Sequence, residues 1–282
     1  MQNTDIKLRL ASYYGGMTVL MVLMLISVIV FVDEAPDQPP SYAQAAVIKT
    51  KSKTGKTLET IKLLLRLFGG LLKNLQFLIT TWAISTALAV IRYHITLLSS
   101  ILHATFDNDI SLNVKAGYAL MGMSFAATLG GFIVGPIIRK HKNYKAMALL
   151  GLGGSFLSCL PMIAGILSKS LIAVEVGVVL QGLFCGFANP ALYELLREVT
   201  YPKPAMQVTA LTEGVTTLIV FSWLTSGRAL LTNTKVVYAA GFPAVVLFFS
   251  GVFIACKKMK LHRQEAEDKG ERRQLLGSDS EE

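Results

Sequence analysis

The sequence predicts an all-α, polytopic membrane protein of about seven transmembrane helices. Seven separate hydrophobic stretches fill most of the 282 residues. Hydrophobic residues make up 52% of the chain and charged residues only 16%, with a mean hydropathy of +0.52. Soluble domains carry roughly 25% charge, so too little polar surface remains to cover a soluble core.

A spanning helix needs roughly 20 mostly apolar residues, and the stretches at 11–32, 74–101, 114–138, 144–167, 170–192, 205–230 and 234–256 meet that length. The first belongs to segment 1–32. Its apolar run exceeds the roughly 7–15 residues of a cleavable signal, so a transmembrane helix is expected. Segment 33–73 is a long connection whose 57–72 part, TLETIKLLLRLFGGLL, sets Leu, Ile and Phe beside Lys62 and Arg66 before a break at Gly69-Gly70. That composition suits an amphipathic helix on the inner leaflet and equally a loop helix packed against the bundle. The string SKTGKT lacks the first glycine of a phosphate loop, because Thr50 stands there, and no strand precedes it. Segment 74–256 is a six-helix bundle. Gly130, Gly131 and Gly135 in its second stretch, with Gly151, Gly153 and Gly154 in its third, are expected to allow close helix approach. Asn189-Pro190 is expected to end the stretch 170–192 with a kink, since proline lacks a backbone donor. Segment 257–282 is a polar tail.

Charge sets the orientation. Net charge is +9, concentrated between Lys49 and Lys73 and between Lys257 and Arg273. Phe68 is the single aromatic residue interleaved there, which speaks against a nucleic-acid face and for loops held against anionic lipid. Connection 33–73 and the tail hold seven Lys and Arg each, and the 139–145 turn adds Arg139, Lys140, Lys142 and Lys145. The alternate connection 102–113 holds none and carries Asp107 and Asp109. The basic side is therefore expected in the cytoplasm, with the C-terminus inside and the N-terminus outside. Lys7 and Arg9, ahead of the first span, run against that orientation and fit a span separated from its natural upstream partner. Cys159 and Cys185 fall within spans and Cys256 at the end of one, so no disulfide framework is implied; Cys256 is open to palmitoylation or is an inert boundary residue.

Ionisable groups at membrane depth mark functional sites by default. Here they are Arg92 and His94, Glu175, and Glu213. Thr81, Ser85 and Arg92 lie on one helical face with Trp82 alongside, and Thr209, Thr212, Glu213, Thr216 and Thr217 repeat the pattern in the sixth stretch. Both faces are expected to meet a cavity or a neighbouring helix, although Ser and Thr can also bond back to their own helix. At 1.5 Å per residue, Glu213 lies about 12 Å and Arg92 about 27 Å from the basic end of their spans, and Glu175 about 22 Å up a ~30 Å core. Glu175 is thus the expected partner of Arg92, and Glu213 is expected to be free for solute or proton. Nothing resembles a clustered metal site or a nucleophile with its base, so neither a cofactor nor an enzymatic reaction is expected.

Three motifs point to a family: DEAPDQPPSYAQAA at 33–46; Gly135-x3-Arg139 running to Asn143-Tyr144-Lys145; and Tyr193-Glu194-x3-Glu198-Val199-Thr200-Tyr201-Pro202. Together they resemble the feline leukaemia virus subgroup C receptor-related family of the major facilitator superfamily. The resemblance implies helix six, the central loop and helices seven to twelve of a major facilitator fold, with helices one to five outside this chain. It implies transport of choline or ethanolamine, of haem, or of another small organic solute. A family aromatic contact falls on Arg92, with Tyr93 adjacent, and a family glutamine on Thr217. The expected solute contacts are Trp82, Ser85, Arg92, Tyr93, Glu213, Thr216 and Thr217, with Glu175, Arg139, Glu194 and Glu198 locking or gating helices. Arg92 in place of an aromatic residue works against a quaternary ammonium solute, and Arg139 replaces an acidic family residue.

Because the site of such a carrier lies between two six-helix halves, the chain is expected to associate with an N-terminal transporter half or with another copy. The alternative is a non-transporting protein that regulates a full-length carrier. A seven-helix receptor is disfavoured by the long first inner loop and the lack of cysteines to tie outer loops. In the tail, Glu271-x3-Leu275-Leu276 has the form read by clathrin adaptors, and the plasma membrane and the endosome or lysosome both stand as expected locations.

Overall fold

The computed structural model describes residues 68–106, 111–203, 205–233, 236–259, 261 and 263, with positions 15, 16, 18, 19, 21–24 and 26. The chain divides into two compact units, Met1–Ala45 and Ala46–Glu282. In the first unit every described position is helical and lies inside the predicted first span. The rest of that span, the connection up to residue 67, Asp107 and Asp109, and the tail beyond residue 263, with Glu271, Leu275 and Leu276, lie outside the described residues.

The second unit contains α1 (Leu75–Thr105), α2 (Ser111–His141), α3 (Tyr144–Leu167), α4 (Leu171–Thr200), α5 (Ala205–Asn233) and α6 (Val236–Cys256). All six are long and apolar enough to cross a membrane. Helices suit that solvent because every backbone polar group is satisfied within the segment. Asn74 starts α1, its Oδ1 accepting from the amides of Gln76 at 3.0 Å and Phe77 at 3.4 Å, and Asn143 starts α3 by accepting from Ala146 at 3.4 Å. These caps satisfy donors that a helix N-terminus leaves open. Lys142 (φ 50°) and Lys169 (φ 53°) turn the chain after α2 and α3.

Two boundaries differ from expectation. α4 continues through Asn189-Pro190 to Thr200, so residues 193–200 are helix rather than connection. Leu192, Leu195, Leu196 and Val199 are all buried; an apolar face that continues at helical spacing outweighs the one hydrogen bond proline removes. Residues 68–72 are likewise helical across Gly69-Gly70, where fully buried Leu71 holds the turn in place. Most spans are also longer than the bilayer requires.

The neighbours of each helix form a repeat. α4 packs along α3 and α2, α1 packs along α5 and also meets α4 and α6, and α3 packs on α6. Exchanging α1, α2 and α3 for α4, α5 and α6 maps this pattern onto itself. Since each unit crosses an odd number of times, the second unit runs inverted relative to the first, as in repeat-built transporters. The equivalent helices α2 and α5 are the least buried spans.

Two kinds of contact hold the helices. Between α2 and α4 the backbones touch: a Cβ at Gly130 would meet the carbonyl oxygen of Leu183 at 2.2 Å, and one at Gly186 that of Ala127 at 2.0 Å. Gly151 and Gly154 are equally closed against α4, as expected, whereas Cβ atoms at Gly135 and Gly153 would meet nothing within 4 Å and one at Gly131 would come no closer than 3.8 Å. Between α1 and α5 the contact is polar. Ser85 and Thr216 share a hydrogen bond of 2.9 Å, Thr81 and Thr212 one of 3.4 Å, and Ser250 of α6 donates to Thr86 at 2.9 Å. Cys159 and Cys185 are buried free thiols; Cys256 is exposed.

Gly186→Val should destabilise the bundle by about 3 kcal/mol or more through overpacking, while Gly153→Ala should stay within about 0.5 kcal/mol. Thermal unfolding in detergent micelles measures both. A double-mutant cycle of Ser85→Ala and Thr216→Val should return a coupling of about 0.6–1.7 kcal/mol, the range for interhelical bonds in membranes.

Candidate functional site

The residues expected to contact solute separate into two groups. Ser85, Tyr93 and Thr216 are buried inside the bundle, where Ser85 and Thr216 meet a neighbouring helix, one of the two surroundings expected for their faces. Ser85 and Thr216 satisfy each other. Tyr93 donates its hydroxyl to the carbonyl oxygen of Ala239 at 2.7 Å, and its ring packs with Trp223 and Phe242 at centroid distances of 6.5 and 6.2 Å. A buried hydroxyl left without a partner costs about 1–3 kcal/mol, so this packing consumes the polar tip. His94 is fully buried too, its Nδ1 at 2.8 Å from the Val90 carbonyl and its Nε2 at 3.2 Å from the Met162 sulfur. Trp82 is half-buried and lines a small apolar pocket with Leu78, Val215, Ile219 and Phe253 between α1, α5 and α6. Its Nε1 is buried without a hydrogen-bond partner.

Glu213, Thr217 and Arg92 form the second group, exposed on the bundle surface. Thr217 donates to the carbonyl oxygen of Glu213 at 2.9 Å, so its hydroxyl serves its own helix. Glu213 is not free as expected, because the Tyr193 hydroxyl of α4 donates to its Oε1. α4 and α5 otherwise touch little, and this bond ties the two helices across an open face. Depth explains the pairing: Tyr193 lies about 10 Å from the end of α4 and Glu213 about 12 Å from the start of α5, at 1.5 Å per residue. The same arithmetic on the sequence would have found Tyr193, had the helix been carried through Pro190.

Arg92 and Glu175 are not an ion pair among the described residues, contrary to expectation. Counted from the end opposite the basic one, Arg92 lies about 20 Å along α1 and Glu175 about 6 Å along α4. The expected match assumed shorter spans. Arg92 is also about 14 Å higher than Glu213 along the helices, so they do not share one site.

Arg139, Glu194 and Glu198 are brought together at the basic end. With Lys142, Arg197 and Arg263 they line a cavity of about 660 Å³. Arg197 binds Glu194 Oε1 at 2.5 Å and Arg263, beyond α6, approaches Oε2 at 3.6 Å. The segment after α6 is tied elsewhere at this end as well: Lys145 donates to the carbonyl oxygens of Ala255 and Lys257, each at 2.9 Å, and Gln76 donates to that of Lys258 at 3.2 Å. One short segment thus joins the ends of α1, α3, α4 and α6, an arrangement suited to holding that end of the bundle together. Lys142, Arg197 and Arg263 were missed because nothing in their spacing marks them; the turn after α2 and the chain beyond α6 bring them to α4.

The sequence profile described as Major Facilitator Superfamily matches residues 9–211 and 84–278. An uncharacterized MFS-type transporter of Caenorhabditis elegans is 27% identical over 194 residues, which cover 68% of this chain and 31% of that relative. The match therefore spans about a third of the relative's length. A family match that takes in nearly every span, on six helices that repeat as two threes, means that the chain belongs to the major facilitator superfamily.

Proposed function

We propose that the chain supplies the solute-translocating C-terminal half of a major facilitator carrier for a small organic solute, working by alternating access and not by catalysis. The observation that carries this reading is the Tyr193–Glu213 pair on a face the bundle leaves open. A carboxylate at membrane depth is costly unless it serves a pathway or a partner, and among the described residues it meets a single phenol. Glu213 is placed to take a cationic head group in exchange for Tyr193. The resemblance to the feline leukaemia virus subgroup C receptor-related family supports choline or ethanolamine as that cation. Arg92, exposed on α1, would repel such a solute if it reached the same cavity, and its height above Glu213 keeps it away.

The open face accounts for the second half. α2 exposes Tyr118, Met121 and Phe125, and α5 exposes Leu218 and Phe221, apolar side chains suited to the six-helix half that would complete the cavity. A second reading, a regulator that docks on a full-length carrier, uses the same apolar faces and leaves Glu213 without a solute. The basic end is the cytoplasmic one in either case, held there by the excess of Lys and Arg.

Labelled choline and ethanolamine uptake should be absent from cells expressing the chain alone and present when it is joined to the N-terminal half of a close relative; uptake by neither, with both at the surface, favours the regulator. In the competent assembly Glu213→Gln should lower uptake by at least about tenfold, the scale of a lost charged contact. Tyr193→Phe should change the half-saturating concentration more than the maximal rate, because it removes the group that competes with solute for Glu213.

A further inference from the structure

His94 and Met162 meet deep in the bundle, and neither brings a proton to the contact. The His94 Nδ1 lies 2.8 Å from the carbonyl oxygen of Val90, which has no hydrogen of its own, so Nδ1 carries the ring proton and donates it. In the neutral ring the other nitrogen is then a bare lone pair. It points at the Met162 sulfur from 3.2 Å, and a thioether accepts weakly and donates nothing. His94 is fully buried and Met162 is 1% exposed, so no solvent relieves two electron pairs set against each other. A doubly protonated ring would supply the missing hydrogen only by placing a full charge at membrane depth on one weak acceptor.

The surroundings are short of donors as well. Cys159, three residues before Met162 on α3, takes the Gln181 amide at 3.0 Å, and its own thiol turns to the Ser155 carbonyl oxygen at 3.4 Å. Gln181 Oε1 is left buried with no donor among the described residues. The His94 ring is fixed by its bond to Val90 and by Tyr93 packed edge-on at 5.7 Å. A histidine with one nitrogen on a backbone carbonyl and the other aimed at a sulfur has the preorganisation of a metal ligand. Among the described residues no three His, Cys, Asp or Glu side chains come together as a metal site, so a site here has to be made by one imidazole and one thioether. Sequence spacing hides it, since the two residues are 68 apart.

We propose that His94 Nε2 and Met162 Sδ bind one copper(I) ion between α1 and α3. The donors are neutral and soft, a pair that selects copper(I) over hard divalent cations, and an ion of single charge is the least costly to hold in a bundle interior. To admit it the two atoms part by about 1 Å, given metal bonds of about 2.0 Å to imidazole nitrogen and about 2.3 Å to sulfur. The unbranched Met162 side chain supplies that movement. The donors stand level, about 28 Å and about 27 Å from the basic ends of α1 and α3 at 1.5 Å per residue. These two helices otherwise touch little, so the ion ties elements that lack a packing seam of their own. The site is closed to solvent, and the ion acts as a staple and not as cargo. The inference is independent of the solute reading.

The test uses the full chain with Cys256→Ser, which removes the exposed thiol. It is expressed in cells supplied with copper, purified in micelles without oxygen and washed with the copper(I) chelator bathocuproine disulfonate. One copper per chain should remain, with X-ray absorption showing one nitrogen and one sulfur at bonding distance. Met162→Leu, a volume-conserving swap, and His94→Gln, which keeps an amide donor for Val90, should each lower retained copper by at least about tenfold, the scale of losing even an outer partner of a metal ligand. Met162→Leu should unfold at the temperature of its parent when both are metal-free. One equivalent of silver(I), a redox-inert stand-in for copper(I), should raise that temperature in the parent alone. Cys159→Ser should keep its copper. No retained copper in the parent, absorption without a sulfur scatterer, or copper retained by either Met162→Leu or His94→Gln overturns the proposal. Loss of copper with Cys159→Ser also overturns it, and assigns the ion to the buried thiols.

Discussion

Backbone-to-backbone contact along α4 is the constraint on which the bundle depends. In lipid no hydrophobic force drives one helix against another, so association relies on close packing and interhelical hydrogen bonds. α4 meets this by presenting Gly182 and Gly186 to Met123 and Ala127 of α2, and Gly177 to Ser158 and Met162 of α3. With two helices seated this closely, α4 has little freedom to rotate. Its rotation in turn decides which residues of its last turns face the chamber at the basic end, and that Tyr193 reaches α5.

The polar side chains follow the same logic of a scarce solvent. Inside the bundle Ser85, Thr81, Thr86 and Tyr93 find partners on neighbouring helices, which lock those helices at fixed height. Charges are sent to the ends or to the open face. At the basic end Glu194 gathers Arg197 and Arg263, so a fold that cannot leave a charge unpaired in hydrocarbon uses carboxylates to hold the chain that follows α6. The open face keeps Glu213, whose carboxylate is tied only by a neutral phenol among the contacts described here. A bond of that kind is easily exchanged for a cation, whereas the Glu194 cluster, with two guanidinium partners, is not.

The internal repeat connects these features. Because α2 and α5 hold equivalent places in the two three-helix units, both are left with an uncovered face, and both uncovered faces carry large apolar side chains. A soluble protein would bury such surface within itself. A bundle in a membrane can leave it for lipid or for another protein segment, and at the end of α2 the same face narrows into the groove beside Arg139.

Class, span number within the bundle and the basic end were legible in the amino-acid sequence, because hydropathy and Lys and Arg counts are properties of segments and survive any packing. Arg139, Glu194 and Glu198 could be singled out because two motifs carry them, one with Arg139 and one with both glutamates. Partnership was not legible. Thr81, Ser85 and Thr216 have the spacing of a polar face whether that face meets a pathway or another helix, and only the seating of α5 on α1 turned them inward. Glu175 and Arg92 matched in height until helix lengths exceeded the bilayer, and Glu213 gained Tyr193 because α4 runs on through Pro190. The sequence by itself determined that this is a membrane-embedded bundle with a basic rim at one end, since those traits follow from composition along the chain. The tertiary structure alone decided which polar groups remain available, because that depends on helix rotation and depth, set by glycine contacts between segments far apart in sequence.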